Sequence, residues 1–376
     1  MRKGLKALLT FTLGCFFIVM FALFFMRSYE VFGGKAPKNK IEEYQTFAYF
    51  KEGRFQNAIP TTMDNDFSST VSMIRDFFKN DPNRQPTKPL PVKKIDFSGI
   101  KENQPTQITW LGHSAVLLQI DGKAILFDPM LGESPSPFSS IGSKRFQKEL
   151  PFQIEDLPPI DAVFISHDHY DHLDHGTIKK LKAKVNQFFV PLGIENHLVR
   201  WGVDPAKIQA MTWWDETEYA DLTIAFTPAR HFSGRSLMDR NATLWGSWVL
   251  IGKEQRVYFS GDSGYGPHFK EIGKKYGPFD FTMMESGQYD DRWAAIHMKP
   301  EESIQAHLDV KGKAMMPIHW GAFTLAFHDW TDPVERELKL AEQREVTLAL
   351  PQVGEKMMIK DGRYPSEPWW RAFSSN

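Results

Sequence analysis

Three imidazoles and two carboxylates fall within six consecutive residues, His167-Asp168-His169-Tyr170-Asp171-His172, directly after the apolar run Ala162-Val163-Phe164-Ile165. Imidazole and carboxylate are the usual donors to a hydrolytic zinc ion, and a strand that ends in a tight loop can aim several side chains at one point. The spacing predicts a metal site at a strand end. A solvated His-rich loop would be the bland alternative, but the pattern H-x-H-x-D-H rarely arises from composition alone.

Three further apolar runs end in a residue that could complete such a site. Leu222 to Thr227 leads to His231, Arg256 to Ser260 leads to Asp262, and Lys313 to Ile318 delivers His319. One His or Asp after a strand is ordinarily a turn or cap residue. Four such endings in order point instead to strands of one sheet system converging on a shared centre.

This ordered set resembles the metallo-β-lactamase fold superfamily, whose members carry H-x-H-x-D-H, then His, Asp and His, at strand ends. The resemblance implies an α/β architecture, a four-layer αβ/βα sandwich, and two zinc ions, with other divalent metals accepted. His167, His169, His231 and Asp262 would hold one ion; Asp171, His172, Asp262 and His319 would hold the other, with Asp262 bridging. Asp128, after the run Ala124 to Phe127, would support the metal loop from behind, and His113 is expected to be buried and hydrogen-bonded beneath it.

The flanking motifs narrow the resemblance. Thr109-Trp110-Leu111-Gly112-His113-Ser114, Leu244-Trp245-Gly246-Ser247-Trp248, Gly261-Asp262-Ser263-Gly264-Tyr265 and Ile318-His319-Trp320-Gly321 are similar to N-acylphosphatidylethanolamine-hydrolysing phospholipase D and its bacterial relatives. That similarity runs over roughly residues 45 to 355. It implies a phospholipid substrate cleaved by attack of a hydroxide shared between the two metals, with Asp171 in a catalytic role as well as a ligand. His297 falls where the family carries a His and is expected to contact substrate or donate a proton. Tyr170 and Tyr265 flank the ligands and could touch the phosphate. Asp168 departs from the Asn of the animal enzyme.

Other readings of the site are a lactonase or nuclease of the same fold, or a non-catalytic membrane scaffold. A net charge of -1 without a basic block argues against a nucleic-acid partner. A sole cysteine, Cys15, excludes an intramolecular disulfide and a Cys-rich metal site.

Ala7 to Met26 contains no charged residue and matches the roughly 20 residues that cross a bilayer, longer than the apolar core of a cleaved signal. We therefore expect a single-pass N-terminal membrane anchor. Arg2, Lys3 and Lys6 precede it, and the short basic arm favours an outward-facing catalytic domain over the reverse. The expected organisation is an anchor over residues 1–30, a tether and extension over 31–95, and the hydrolase domain over 96–376. The Pro-rich stretch from Asp81 to Pro91 fits an extended segment. Among the tryptophans, Trp330, Trp369 and Trp370 look least like core residues.

Overall fold

The computed structural model describes residues 2–63, 66–79, 81–97 and 105–375. In chain order the elements are α1 (Arg2–Ser28), α2 (Lys38–Tyr44), the hairpin β1 (Phe50–Lys51) and β2 (Arg54–Phe55), and α3 (Phe67–Phe78). Then follow β3 (Gln107–Trp110), β4 (Val116–Ile120), β5 (Lys123–Phe127), β6 (Ile160–Phe164), α4 (His175–Leu181), β7 (Val185–Pro191), α5 (Glu195–Arg200) and β8 (Ile208–Met211). The second half holds β9 (Glu216–Tyr219), β10 (Leu222–Thr227), β11 (Ser247–Ile251), β12 (Arg256–Phe259), α6 (His268–Lys275), β13 (Phe281–Glu285), α7 (Pro300–Asp309), β14 (Ala314–Ile318), α8 (Asp332–Arg344), β15 (Thr347–Leu348) and β16 (Lys356–Met358).

Two seven-stranded sheets result, ordered β16-β3-β4-β5-β6-β7-β8 and β15-β14-β13-β12-β11-β10-β9. Each is antiparallel in one half and parallel in the other, the switch falling at β5–β6 and at β12–β13. Strand alternation sorts the side chains by layer. In β5, Ile125 and Phe127 join the core between the sheets, while Ala124 and Leu126 join a second cluster with Ile178, Leu181, Leu198 and Trp201 of the α4–α5 side. On the other sheet, α6 and α7 contribute Phe269, Ile272 and Ile304. This is the expected αβ/βα sandwich.

α1 includes the segment Leu9–Ser28, whose mean hydropathy of 2.4 and length suffice to cross a membrane. Its last turn is not free of the domain. Tyr29 stacks on Phe138 at 5.8 Å, Arg200 donates to the carbonyls of Arg27, Ser28 and Gly33, and Trp201 donates to that of Glu30.

Within 31–95, the expected tether and extension, several residues pack into the body of the domain. Tyr44, Phe50, Phe55 and Leu90 are buried in the largest core cluster, and the Tyr44 hydroxyl donates to Glu195 at 2.5 Å. Aromatic density, invisible to a search for helical or strand period, is what docks it. The three outlying tryptophans are also drawn inward. Trp330 and Trp370 are buried, and both rings pack on Trp320, which stacks on Trp110 at 5.4 Å.

Candidate metal centre

Every candidate ligand emerges from the same edge of the sandwich, just past a strand. β6 delivers His167 to His172, β10 delivers His231, β12 delivers Asp262 and β14 delivers His319. The turns there are tight: Asp128, Gly261 and His319 all have positive φ. Gly261 is required, because a Cβ would lie 2.6 Å from that of Ser166 and 2.9 Å from the Gly246 carbonyl.

The donor atoms converge. His167, His169, His231 and Asp262 form one group within 4.8 Å, and His113, Asp171, His172 and His319 form another. Asp262 stands between them: its Oδ2 lies 3.1 Å from the Nε2 atoms of both His172 and His319, and 3.7 and 3.8 Å from those of His167 and His231. His113 Nε2 is 2.9 Å from Asp171 Oδ2, an oxygen also 3.1 Å from His319 Nε2.

The outward ring nitrogens are held from behind. His167 Nδ1 meets Ser166 Oγ at 2.9 Å, His172 Nδ1 meets Asp128 at 2.8 Å, His231 Nδ1 meets the Ile296 carbonyl at 3.0 Å, and His319 Nδ1 meets that of Gly287 at 3.3 Å. Asp128 also accepts from the Ser166 N–H and hydroxyl at 2.7 and 2.5 Å, which ties the His172 ring to the start of the loop after β6. Outer partners of this kind fix the rotamer and tautomer of metal-binding histidines.

A divalent cation fits this set. His169 Nδ1 faces two other inward nitrogens, His167 Nε2 at 2.9 Å and His231 Nε2 at 3.2 Å, a crowding of nitrogens that hydrogen bonds alone satisfy poorly. His172 Nε2 and Asp262 Oδ1 are buried without a hydrogen-bond partner. Burial pushes His167, His169 and His231 below their ordinary value, favouring the neutral imidazole a metal needs. Burial also lowers His172, but Asp262, Asp171 and Asp128 outweigh it and push it well up, the mark of a pocket that attracts positive charge.

Above the donors opens a cleft of about 270 Å³ lined by Met63, His169, Asp171, Phe232, Asp262, Gln288, Trp293, Ile296, His297, His319 and Leu325. His297 is on its wall, and its Nδ1 is hydrogen-bonded to Glu285. Glu285 ends β13 and is fully buried; its second oxygen accepts from the Ser263 N–H at 2.8 Å. Burial and Asp262 push Glu285 well up, while burial pushes His297 down. The bond to Glu285 engages Nδ1 and leaves Nε2 as the other nitrogen of the His297 ring. Sequence reasoning passed over Glu285, although Phe281 to Glu285 shows the same apolar-run-then-ligand pattern as the other strands.

Two expected substrate contacts are not at the cleft. The Tyr170 hydroxyl donates to the Arg235 carbonyl at 2.6 Å and its ring lies under the Arg235 guanidinium, while the Tyr265 hydroxyl donates to Asp309 at 2.5 Å. Phe232 and Trp293 wall the cleft instead. Asp168 faces away from the donors as well: it accepts from the Gly234 N–H at 2.7 Å and the Thr243 hydroxyl at 3.0 Å.

Fold and donor set together define a metal-dependent hydrolase with the metallo-β-lactamase fold. Residues 123–320 match the family model described as "Beta-lactamase superfamily domain", and the chain belongs to that superfamily. It is 40% identical to an uncharacterized protein of Mycobacterium tuberculosis over 86% of this chain and 87% of that one. It is 34% identical to N-acyl-phosphatidylethanolamine-hydrolyzing phospholipase D 1 of Caenorhabditis elegans, over 68% of this chain and 75% of the relative. Igni18, a metallo hydrolase of Ignicoccus hospitalis, shares the fold with a TM-score of 0.51 at 21% identity, covering 68% of this chain and 98% of its own.

Proposed function

We propose that the chain is a membrane-anchored dizinc phosphodiesterase that hydrolyses N-acylphosphatidylethanolamine-like glycerophospholipids in the phospholipase D sense. The observation that carries this reading is the cleft itself, where a two-cluster imidazole and carboxylate floor meets walls of Met63, Phe232, Trp293, Ile296 and Leu325. Apolar walls suit the lipid chains, and the donor floor suits the phosphodiester between them. The similarity to the Caenorhabditis elegans phospholipase D supports the same substrate class.

His167, His169 and His231 would hold one zinc ion, Asp171, His172 and His319 the other, and Asp262 would serve both. Bound zinc would supply charge neutralisation for the phosphate and a lowered pKa for attacking water. Asp171, braced by His113, would orient that water and accept its proton. Attack on phosphorus breaks the bond to the head-group oxygen. His297, oriented by Glu285, would protonate that oxygen as it leaves, so that phosphatidic acid and N-acylethanolamine are the products. α1 would anchor the enzyme, with the catalytic domain facing outward.

The test is hydrolysis by the purified protein of a panel of phospholipids, a lactone and RNA, with and without chelator. Chelator-sensitive turnover of N-acylated phospholipid alone supports the reading, and preferential turnover of the lactone or RNA rejects it.

A further inference from the structure

α3 carries an apolar face that no part of the described chain covers. Asp66 caps its first turn by accepting from the Ser69 N–H at 2.6 Å. Phe67, Val71, Ile74 and Phe78 then recur at helical spacing, and with Phe77 they are 48 to 84% exposed. The opposite face is polar and bound to the domain: Arg292 donates to Ser72 Oγ and to Asp76, both at 3.0 Å. That bond sets the helix beside the cleft, since Trp293 follows Arg292 and Met63 shortly precedes α3, and both line the cleft.

We propose that α3 is an interfacial helix whose Phe67, Val71, Ile74 and Phe78 face settles into the headgroup and acyl boundary of a phospholipid bilayer, presenting the cleft mouth to the lipid. A bilayer rather than another protein is favoured by three features. The same chain bears the apolar span Leu9–Ser28, which brings a membrane within reach. The apolar face itself contains no carboxylate, and Arg75 and Lys79 are exposed in and just after its last turn, where their stems can lie along the lipid while the charges reach phosphates. Finally, Asp76, the helix's one acid, is held at 3.0 Å by Arg292, and the exposed cations make only longer pairs, Arg75 to Asp76 at 3.5 Å and Lys79 to Asp81 at 3.7 Å, which a phosphate can replace. The proposal rests on the anchored reading of α1 only for its access to a membrane, and it is independent of which bond is cleaved.

The test uses the full chain with Cys15→Ser, carrying an environment-sensitive fluorophore at Ile74→Cys or, as control, at Glu254→Cys in the β11–β12 turn at the far edge of the sheet. Each protein is reconstituted into vesicles of equal parts phosphatidylcholine and phosphatidylglycerol. The label at position 74 should be quenched by lipids brominated on the acyl chain and shielded from aqueous iodide, and the label at 254 should behave in the opposite way. Iodide quenching at 74 equal to that at 254 overturns the proposal. Shielding from both quenchers overturns it in favour of a second copy or another protein. Failure of the protein to float with vesicles at all overturns both the anchor and the interfacial helix, whereas flotation with an aqueous label at 74 overturns the helix alone.

Discussion

Asn57 grips His231 at both ends of its backbone unit: Asn57 Nδ2 donates to the His231 carbonyl at 2.7 Å, and the His231 N–H donates to Asn57 Oδ1 at 3.1 Å. A residue of the N-terminal extension therefore holds a candidate ligand that lies 174 positions further along the chain. Outer partners of metal ligands commonly contribute 10–100-fold in affinity. Asn57→Ala should weaken divalent-metal binding by about that factor, read by competition with a metal-binding dye. Unchanged affinity would mean that the loop after β10 is held by other contacts.

Asp262 offers its carboxylate to both donor groups. Protein purified without chelator should carry about two zinc-class ions per chain, and Asp262→Ala should lose most of the metal together with the activity. Elemental analysis decides it. One ion in the parent and full activity in the variant would reject the dinuclear centre.

His297→Ala should lower turnover by about 10²–10⁴-fold, the usual scale of general acid–base help, with metal content unchanged. Glu285→Gln should lower turnover by less, because it keeps a hydrogen-bonding group beside Nδ1. Loss of metal from His297→Ala would make His297 a ligand instead.

Acid should weaken the fold partly through His307, which belongs to none of the candidate metal-binding groups. It is buried, its Nδ1 lies 2.7 Å from Thr282 Oγ1, and burial pushes it down to about 4. Between the unfolded value of about 6.5 and this one, the unfolded chain binds a proton that the folded chain refuses. Stability from this group is thus complete above about pH 6.5, falls as pH drops, and levels off below about 4, a loss of up to about 3 kcal/mol. Urea midpoints across that range should fall less steeply for His307→Gln, and parallel curves would show that the ring titrates normally in the fold.

The candidate metal centre was legible because its chemistry is written locally: each of the seven candidate ligands follows an apolar run, and H-x-H-x-D-H occupies one short loop. What could not be read depends on contacts between distant segments. Asn57 resembles any loop residue until the fold sets it against His231. Tyr170 and Tyr265 flank ligands in sequence, yet a neighbouring residue on a strand-end loop can point the opposite way, and both hydroxyls found partners outside the cleft. Trp370 looked peripheral by its place near the end of the chain, but it packs edge-on against Trp320, one residue after His319. Glu285 had a legible signal in its apolar run and was hidden only because the family pattern draws attention to other strands.

The central claim, a lipid phosphodiesterase cutting on the head-group side of phosphorus, is tested most directly by product analysis in heavy-oxygen water with a defined N-acylphosphatidylethanolamine. Equal amounts of phosphatidic acid and N-acylethanolamine are expected, with the heavy oxygen in the phosphate of the former and loss of both products with chelator. Diacylglycerol, free fatty acid, or label in the N-acylethanolamine would contradict it.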